Sequence, residues 1–277
     1  MIAGWWWLDE LIFLKLGGSL ITDKGSPQTA REPVIHRVAQ EIREALDDVP
    51  DLSLVLGHGS GSFGHDPASK YGVQDGLSES DGWWGYAETA VVAARLNRMV
   101  TDILLQEGIP VLPLQPSASS LCDDGELVHL EPTPLQEALK RHLVPVVYGD
   151  VSFDRVRGSA IVSTEQIFAY LSSHLNPQRM ILAGQVEGVF TGDPLQDRGA
   201  RLLKEISVSQ YDEVEKMLTG SHGIDVTGGM LAKVRTMCQL IEVQPALTVR
   251  FISGDREGLI RRALLDSEID EGTLLHR

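Results

Sequence analysis

Lys15 is the one charged residue in the apolar run LIFLKL at 11–16, and Gly17, Gly18 and Ser19 follow it at once. An ammonium held in an apolar strand requires an anion beside it. Glycines at that point let backbone N–H groups approach phosphate-like oxygens closely and adopt positive φ. A second turn of the same kind, GHGSGSFGH at 57–65, closes another apolar run and carries Ser60, Gly61, His58 and His65. Far along the chain, Asp225, Thr227, Gly228 and Gly229 open a helix-period segment in which Lys233 follows Gly229 by one helical turn. Two glycine turns at the ends of two strands suit a chain of phosphates. Phosphoryl transfer rests on positioning anions and screening their charge, so it calls for lysines and backbone donors and needs no covalent nucleophile.

Residues 59–64 also fit G-x-G-x-x-G, the dinucleotide fingerprint. That fingerprint needs a helix directly after the glycines and then a strand ending in an acid about 20 residues on. Here HDPASKYGVQDGLSESDG follows, with Pro67 and several turn residues in place of a smooth helix and strand, and the loop is the second glycine turn of the chain, not the first. The context does not support a nicotinamide site. Taken singly, a lysine is usually solvated surface and a histidine usually a cap or core residue; the joint pattern is what points to a site. His58 lies inside the turn, where a structural role is equally open to it, and is left out of the catalytic set.

Behind these residues stands a regular alternation. Apolar runs of strand length at 11–16, 52–57, 109–114, 143–149, 179–184 and 247–252 alternate with helix-period segments at 34–47, 85–107, 133–141, 164–175, 209–219, 229–243 and 258–266. This rhythm predicts a largely parallel sheet covered on both faces, with ligands outside the carboxyl ends of its strands. Alternating stretches at 127–129 and 151–162 predict hairpins that project beyond the sheet as an edge or lid.

The bulk properties set limits. With 39 Asp and Glu against 24 Lys and Arg, the net charge of −15 excludes a broad nucleic-acid surface, and an anionic ligand must be held by a local positive pocket. Cys122 and Cys238 are far apart with no metal spacing, which reads as a reduced, cytoplasmic setting. Trp5, Trp6 and Trp7 lack a basic flank and are followed by acids, so they read as a packing or interface segment instead of a leader. No run approaches the roughly 18 apolar residues of a membrane span.

KLGGSLITDK (15–24), GHGSGSFGH (57–65), VPVVYGDV (144–151), VEGVFTGDP (186–194) and DVTGGMLAKV (225–234) together resemble the amino acid kinase superfamily, in order and over residues 11 to about 254. Within it they most resemble the isopentenyl phosphate kinase family. The resemblance implies one domain, a three-layer αβα sandwich with an open, mostly parallel central sheet. It further implies an acceptor lobe at 1–177, a nucleotide lobe at 178–277, and a homodimer formed through the acceptor lobe. The implied reaction passes the γ-phosphoryl of ATP to isopentenyl phosphate. By the same resemblance Lys15, Lys24 and His65 are catalytic; Lys15, Gly17, Gly18, Ser19, Gly61, Gln185, Gly228, Gly229 and Lys233 bind the nucleotide; and Ser60, Gly61, His65, Asp150 and Thr164 bind the acceptor, Asp150 matching the acid that orients the lysines. No carboxylate cluster offers a metal cage, so Mg2+ is expected to arrive on ATP.

The pattern departs from that family in places. Ser60 stands where a glycine is common, the S-G-D-D segment appears as Ser163-Thr164-Glu165-Gln166, and T-D-V-D-G-V appears at 184–189 as GQVEGV. Trp83, Trp84, Tyr86 and Ile161 are candidates to line the acceptor's organic tail, or simply to pack the core. A phosphonate kinase of the fosfomycin type, or a nucleotide sensor without catalysis, remain the alternative readings.

Overall fold

The computed structural model describes residues 10–23, 25–77, 82–194, 197–220 and 226–277, without the side chains of 65–67, 69, 219, 220 and 226–228. Lys24, Asp225 and Trp5 to Trp7 lie outside the described residues, as do the side chains of His65 and Thr227.

Twelve strands are formed among the described residues: β1 (Leu11–Leu16), β2 (Ser53–His58), β3 (Val111–Pro113), β4 (Leu121–Asp123), β5 (Glu126–His129), β6 (Val144–Tyr148), β7 (Asp150–Asp154), β8 (Gly158–Val162), β9 (Arg179–Gly184), β10 (Glu205–Ser207), β11 (Thr248–Ser253) and β12 (Thr273–His276). The helices are α1 (Gly18–Ile21), α2 (Glu32–Asp48), α3 (Gly61–Tyr71), α4 (Gly82–Gln106), α5 (Thr133–Leu139), α6 (Thr164–Leu175), α7 (Tyr211–Gly220), α8 (Val226–Val243) and α9 (Leu259–Leu265). Eight strands form the main sheet in the order β10-β12-β11-β9-β1-β2-β6-β3. It is parallel except where β12 runs against β11. The remaining four form a side sheet, β5-β4-β7-β8.

Alternation along the strands decides which helices each residue meets. On β1, Leu11 and Phe13 join the core built with α5, α6, α7 and α8, while Ile12, Leu14 and Leu16 join the core built with α2, α3, α4 and α9. These two layers around one sheet are the expected αβα sandwich. Five buried apolar side chains on β1, at roughly 1.5–3 kcal/mol each, outweigh the several kcal/mol of desolvation that Lys15 brings to the same strand. Odd numbering places Lys15 on the α6 and α8 side. Even numbering places His58 of β2 and Tyr148 of β6 on the α4 side.

The chain leaves β1 for β2 on one flank and reaches β9 on the other. The carboxyl end of β1 is therefore a topological switch point, where open α/β sheets bind ligands.

Two expectations are corrected. A helix, α3, does follow the second glycine turn and runs through Pro67. Tertiary packing overrides the proline: Phe63 and Ala68 are buried, and α4 docks so closely that a Cβ on Gly85 would lie 2.2 Å from Tyr71 Cβ. The exclusion of a dinucleotide fold stands on topology instead, because α3 leads into α4 and not into a strand beside β2. Second, the short strands β4, β10 and β12 are added to the predicted set; each has only three or four residues, too short for a clear apolar period.

Candidate active site

Lys15 is 5 % exposed, and its register on β1 sets it opposite Gly57 of β2 and Leu182 of β9. Its Nζ lies 3.2 Å from Glu165 Oε1, the anion that a cation in an apolar strand requires. Glu165 sits in the first turn of α6, whose N-terminus is fixed by a capping box: Ser163 accepts from Gln166 N–H, and the Gln166 side chain accepts from Ser163 N–H. That turn can lie on the sheet because position 57 is glycine. A Cβ there would come within 2.6 Å of Thr164 Cγ2 and 2.7 Å of Phe168. Burial alone would raise the Glu165 carboxyl, but Lys15 and then Lys233 more than offset this and hold it below the usual carboxylate range. Glu165 thus joins a lysine from the first strand to one from α8.

The two glycine turns pack backbone to backbone above this pair. Gly59 N–H donates to Leu16 O at 3.0 Å, and Gly17 N–H to Ala183 O at 2.7 Å. A Cβ on Gly18 would lie 2.5 Å from Gly61 N, and one on Gly61, whose φ is +49°, would lie 2.1 Å from Thr22 Oγ1. Thr22 ties the turns together by donating to Gly18 O at 2.7 Å and accepting from Ser62 N–H at 3.0 Å. The N–H groups of Gly18, Ser19, Ser60 and Gly61 have no acceptor among the described residues. Four such donors, in the turns that follow the strands of Lys15 and Gly57, can form an anion cradle.

On the nucleotide side, Gly184 ends β9 and Gly229 lies in α8, one turn before Lys233. Neither would bring a Cβ within 4 Å of a described atom beyond its chain neighbours and own helix backbone, so the described packing does not demand glycine at either position. Gln185 is exposed next to Gly184, and its carbonyl accepts from Ser253 Oγ at 3.1 Å. Gly228 falls in the first turn of α8.

Three expected assignments change on the acceptor side. Asp150 is buried and accepts from Ser117 N–H at 3.1 Å and Val151 N–H at 2.9 Å; the carboxylate on Lys15 is Glu165. Burial pushes the Asp150 carboxyl up, those N–H groups only partly opposing it, and its neighbourhood is the phenols of Tyr86 and Tyr148. Thr164 is 1 % exposed and donates its hydroxyl to His58 O at 2.6 Å, so its hydroxyl fastens α6 to β2. Trp84 is 72 % exposed on the outside of α4. Trp83, Tyr86 and Ile161 instead pack with Val73, Leu77 and Val151, and Phe153 of the side sheet stacks on Tyr86 at 5.0 Å.

Glu165 is the residue that sequence reasoning missed. The signal was present, an acid in a good capping box directly after a strand pair, but Asp150 offered the same chemistry two strands earlier. Among the described residues no three His, Cys, Asp or Glu side chains converge as a metal would need, and Glu165 is already neutralised by lysine.

An open parallel sheet with a lysine-bearing phosphate cradle at its switch point defines a phosphotransferase. The model of the amino acid kinase family matches residues 10–250, and the chain belongs to that family; the family and the curated relatives together mark it as an ATP-dependent kinase. It is 37 % identical over 266 residues to the isopentenyl phosphate kinase of Methanothermobacter thermautotrophicus, covering 94 % of this chain and 97 % of that one. The isopentenyl phosphate kinase of Methanocaldococcus jannaschii is 34 % identical over 233 residues, 81 % of this chain and 85 % of that one. A crystal structure described as isopentenyl phosphate kinase superposes with a TM-score of 0.82 at 33 % identity, covering 96 % of this chain and all of that one.

Proposed function

We propose that this enzyme transfers the γ-phosphoryl group of ATP to isopentenyl phosphate, giving isopentenyl diphosphate and ADP. The observation that carries the reading is the buried Lys15, held by Glu165 on the strand that runs into the first glycine turn, with four turn N–H groups that have no acceptor among the described residues, in a chain similar along nearly its whole length to isopentenyl phosphate kinases. Two anions must be brought together, and the protein's task is to position them and offset their repulsion. Lys15 and Lys233 screen the phosphoryl chain from two sides, with Glu165 offsetting the repulsion between the ammonium groups when no nucleotide is bound. Gly17, Gly18 and Ser19 carry the phosphates, and Gly184, Gln185, Gly228 and Gly229 form the nucleotide side. Ser60, Gly61 and His65 hold the acceptor phosphate, and Lys24 joins Lys15 at the transition state. Mg2+ enters on the nucleotide, coordinated by phosphates and water. The residues 1–177 serve the acceptor and 178–277 the nucleotide, and the enzyme works as a cytoplasmic homodimer.

The test is direct. Purified enzyme with ATP, magnesium and isopentenyl phosphate releases ADP and a diphosphate visible by phosphorus NMR, and Lys15→Ala loses at least a hundredfold in kcat. Faster turnover of a phosphonate in direct competition would reassign the acceptor.

A further inference from the structure

We propose that His58 is a positioning residue for this reaction: its Nδ1–H holds the Gly59 carbonyl on the α4 side of the sheet and thereby turns the Ser60 N–H toward the phosphate cradle. The proposal rests on the phosphoryl-transfer reading of that cradle and deepens it.

Sterics create the need. A Cβ at position 59 would stand 2.8 Å from Gly18 N, so the two turns can meet only if Gly59 is glycine. A glycine hinge leaves the following peptide free to rotate, and a rotated peptide presents a carbonyl oxygen where an anion must bind. In a trans peptide the C=O of Gly59 and the N–H of Ser60 point in opposite directions. Whatever fixes the carbonyl therefore aims the donor.

His58 supplies that fixation. It is 1 % exposed, and its Nδ1 lies 3.1 Å from Gly59 O. The ring is itself held on every side. It stacks on Tyr148 with centroids 5.5 Å apart and planes 9° from parallel, and its Nε2 lies 3.0 Å from Asn97 Oδ1 of α4. Its own carbonyl accepts from Thr164 Oγ1 at 2.6 Å and from Gly149 N–H at 3.0 Å. Ser60 N–H, on the far side of the peptide, is one of the four donors without an acceptor among the described residues.

The chemistry fixes the tautomer. A carbonyl only accepts, so the proton belongs on Nδ1. Burial, with Lys15 as a smaller cause, holds the imidazole below its ordinary range despite its hydrogen bonds to Gly59 and Asn97, which favours the neutral ring. In that ring Nε2 is bare, and a half-turn of the Asn97 amide lets its N–H donate to it.

Two variants separate orientation from packing. In His58→Asn the side-chain amide N–H replaces Nδ1–H; in His58→Gln it replaces the more distant Nε2. Both lose the ring on Tyr148, so both lose similar amounts of Tm. The expected result is that His58→Gln falls at least tenfold below His58→Asn in kcat/KM for the phosphate acceptor. Nitrogen NMR of the histidines in the unliganded wild type is expected to show His58 protonated at Nδ1. Equal kcat/KM in the two variants, or a bare Nδ1, overturns the proposal. The NMR readout needs no substrate, so it decides the hydrogen bond even if the wild type proves to phosphorylate nothing.

Discussion

Glu165 carries more of the site than its place in the sequence announces. The acid at 150 follows a strand and a glycine, as a site acid should, whereas the one at 165 sits inside a capping box that explains itself structurally. What separates them is a packing fact: Gly57 lets the first turn of α6 rest on β1 and β2, bringing only Glu165 within 3.2 Å of Lys15. No spacing rule reveals that contact, because it joins residues 150 positions apart in a fold whose register must first be known. Removing one partner of a buried ion pair typically costs about 3–5 kcal/mol. Glu165→Gln is therefore expected to lower the unfolding free energy by about that much in urea titration and kcat by roughly ten- to a hundredfold, with Glu165→Asp retaining more of both. A glutamine variant that keeps wild-type stability and kcat would remove Glu165 from the account. Gly229 makes the opposite case. Among the described residues nothing fills the space beside it, so Gly229→Ala gains roughly 0.5–1 kcal/mol of helix propensity while a methyl group enters the expected nucleotide side. The expected outcome is a higher Tm together with a severalfold higher KM for ATP.

The elements that place the cradle are the two glycine turns, and their motifs were the most legible part of the sequence. Lys15, Gly17, Gly18, Gly61 and the strands that bear them fall where the apolar runs and glycines put them, because those patterns record local backbone needs. Gly61→Ala tests that legibility. It demands a left-handed φ from alanine, at roughly 1–2 kcal/mol, and drives a methyl into Thr22 Oγ1 and Gly18 O. Loss of both acceptor turnover and several degrees of Tm is expected, against none of that stability loss in Gly229→Ala. The side sheet was only half legible. Its hairpins showed as alternation, but β4 did not, and the residue that locks it is Asp154. This carboxylate accepts N–H groups from Asp124 at 3.2 Å, Gly125 at 2.6 Å, Val156 at 2.8 Å and Arg157 at 2.7 Å. Burial would raise it, and those four N–H groups lower it further than burial raises it. Asp154→Ala leaves the donors unpaired, and a loss of about 2–4 kcal/mol is expected, read as early hydrogen exchange of the β4–β5 and β7–β8 amides.

At the scale of the whole molecule, the chain was legible where the period was long and opaque where a tertiary contact overrode it, as in α3, which continues through Pro67 because α4 covers it. The same burial gives the molecule a pH dependence with a definite sign. Glu165 and Asp154 are carboxylates lowered in the folded state, so their stabilisation is complete above the ordinary carboxylate range and is lost as pH falls through their folded values. Asp150 is raised and has the opposite sign, favouring the fold at low pH and losing that contribution as pH rises. His58 is lowered too, but its ordinary value is 6.5, so its contribution is complete above that pH and drains away as acid approaches its folded value. Acidification is thus expected to lower Tm in two stages, the earlier belonging to buried neutral histidine. Tyr148, which stacks on the ring and whose phenol burial pushes well above its ordinary range, does not change charge over this interval, and every other ionisable group is shared with His58→Asn. The gap in Tm between wild type and that variant is therefore expected to narrow from about pH 7.5 to about pH 5.5. A gap that stays constant across calorimetric scans would mean that the ring is not held neutral by burial.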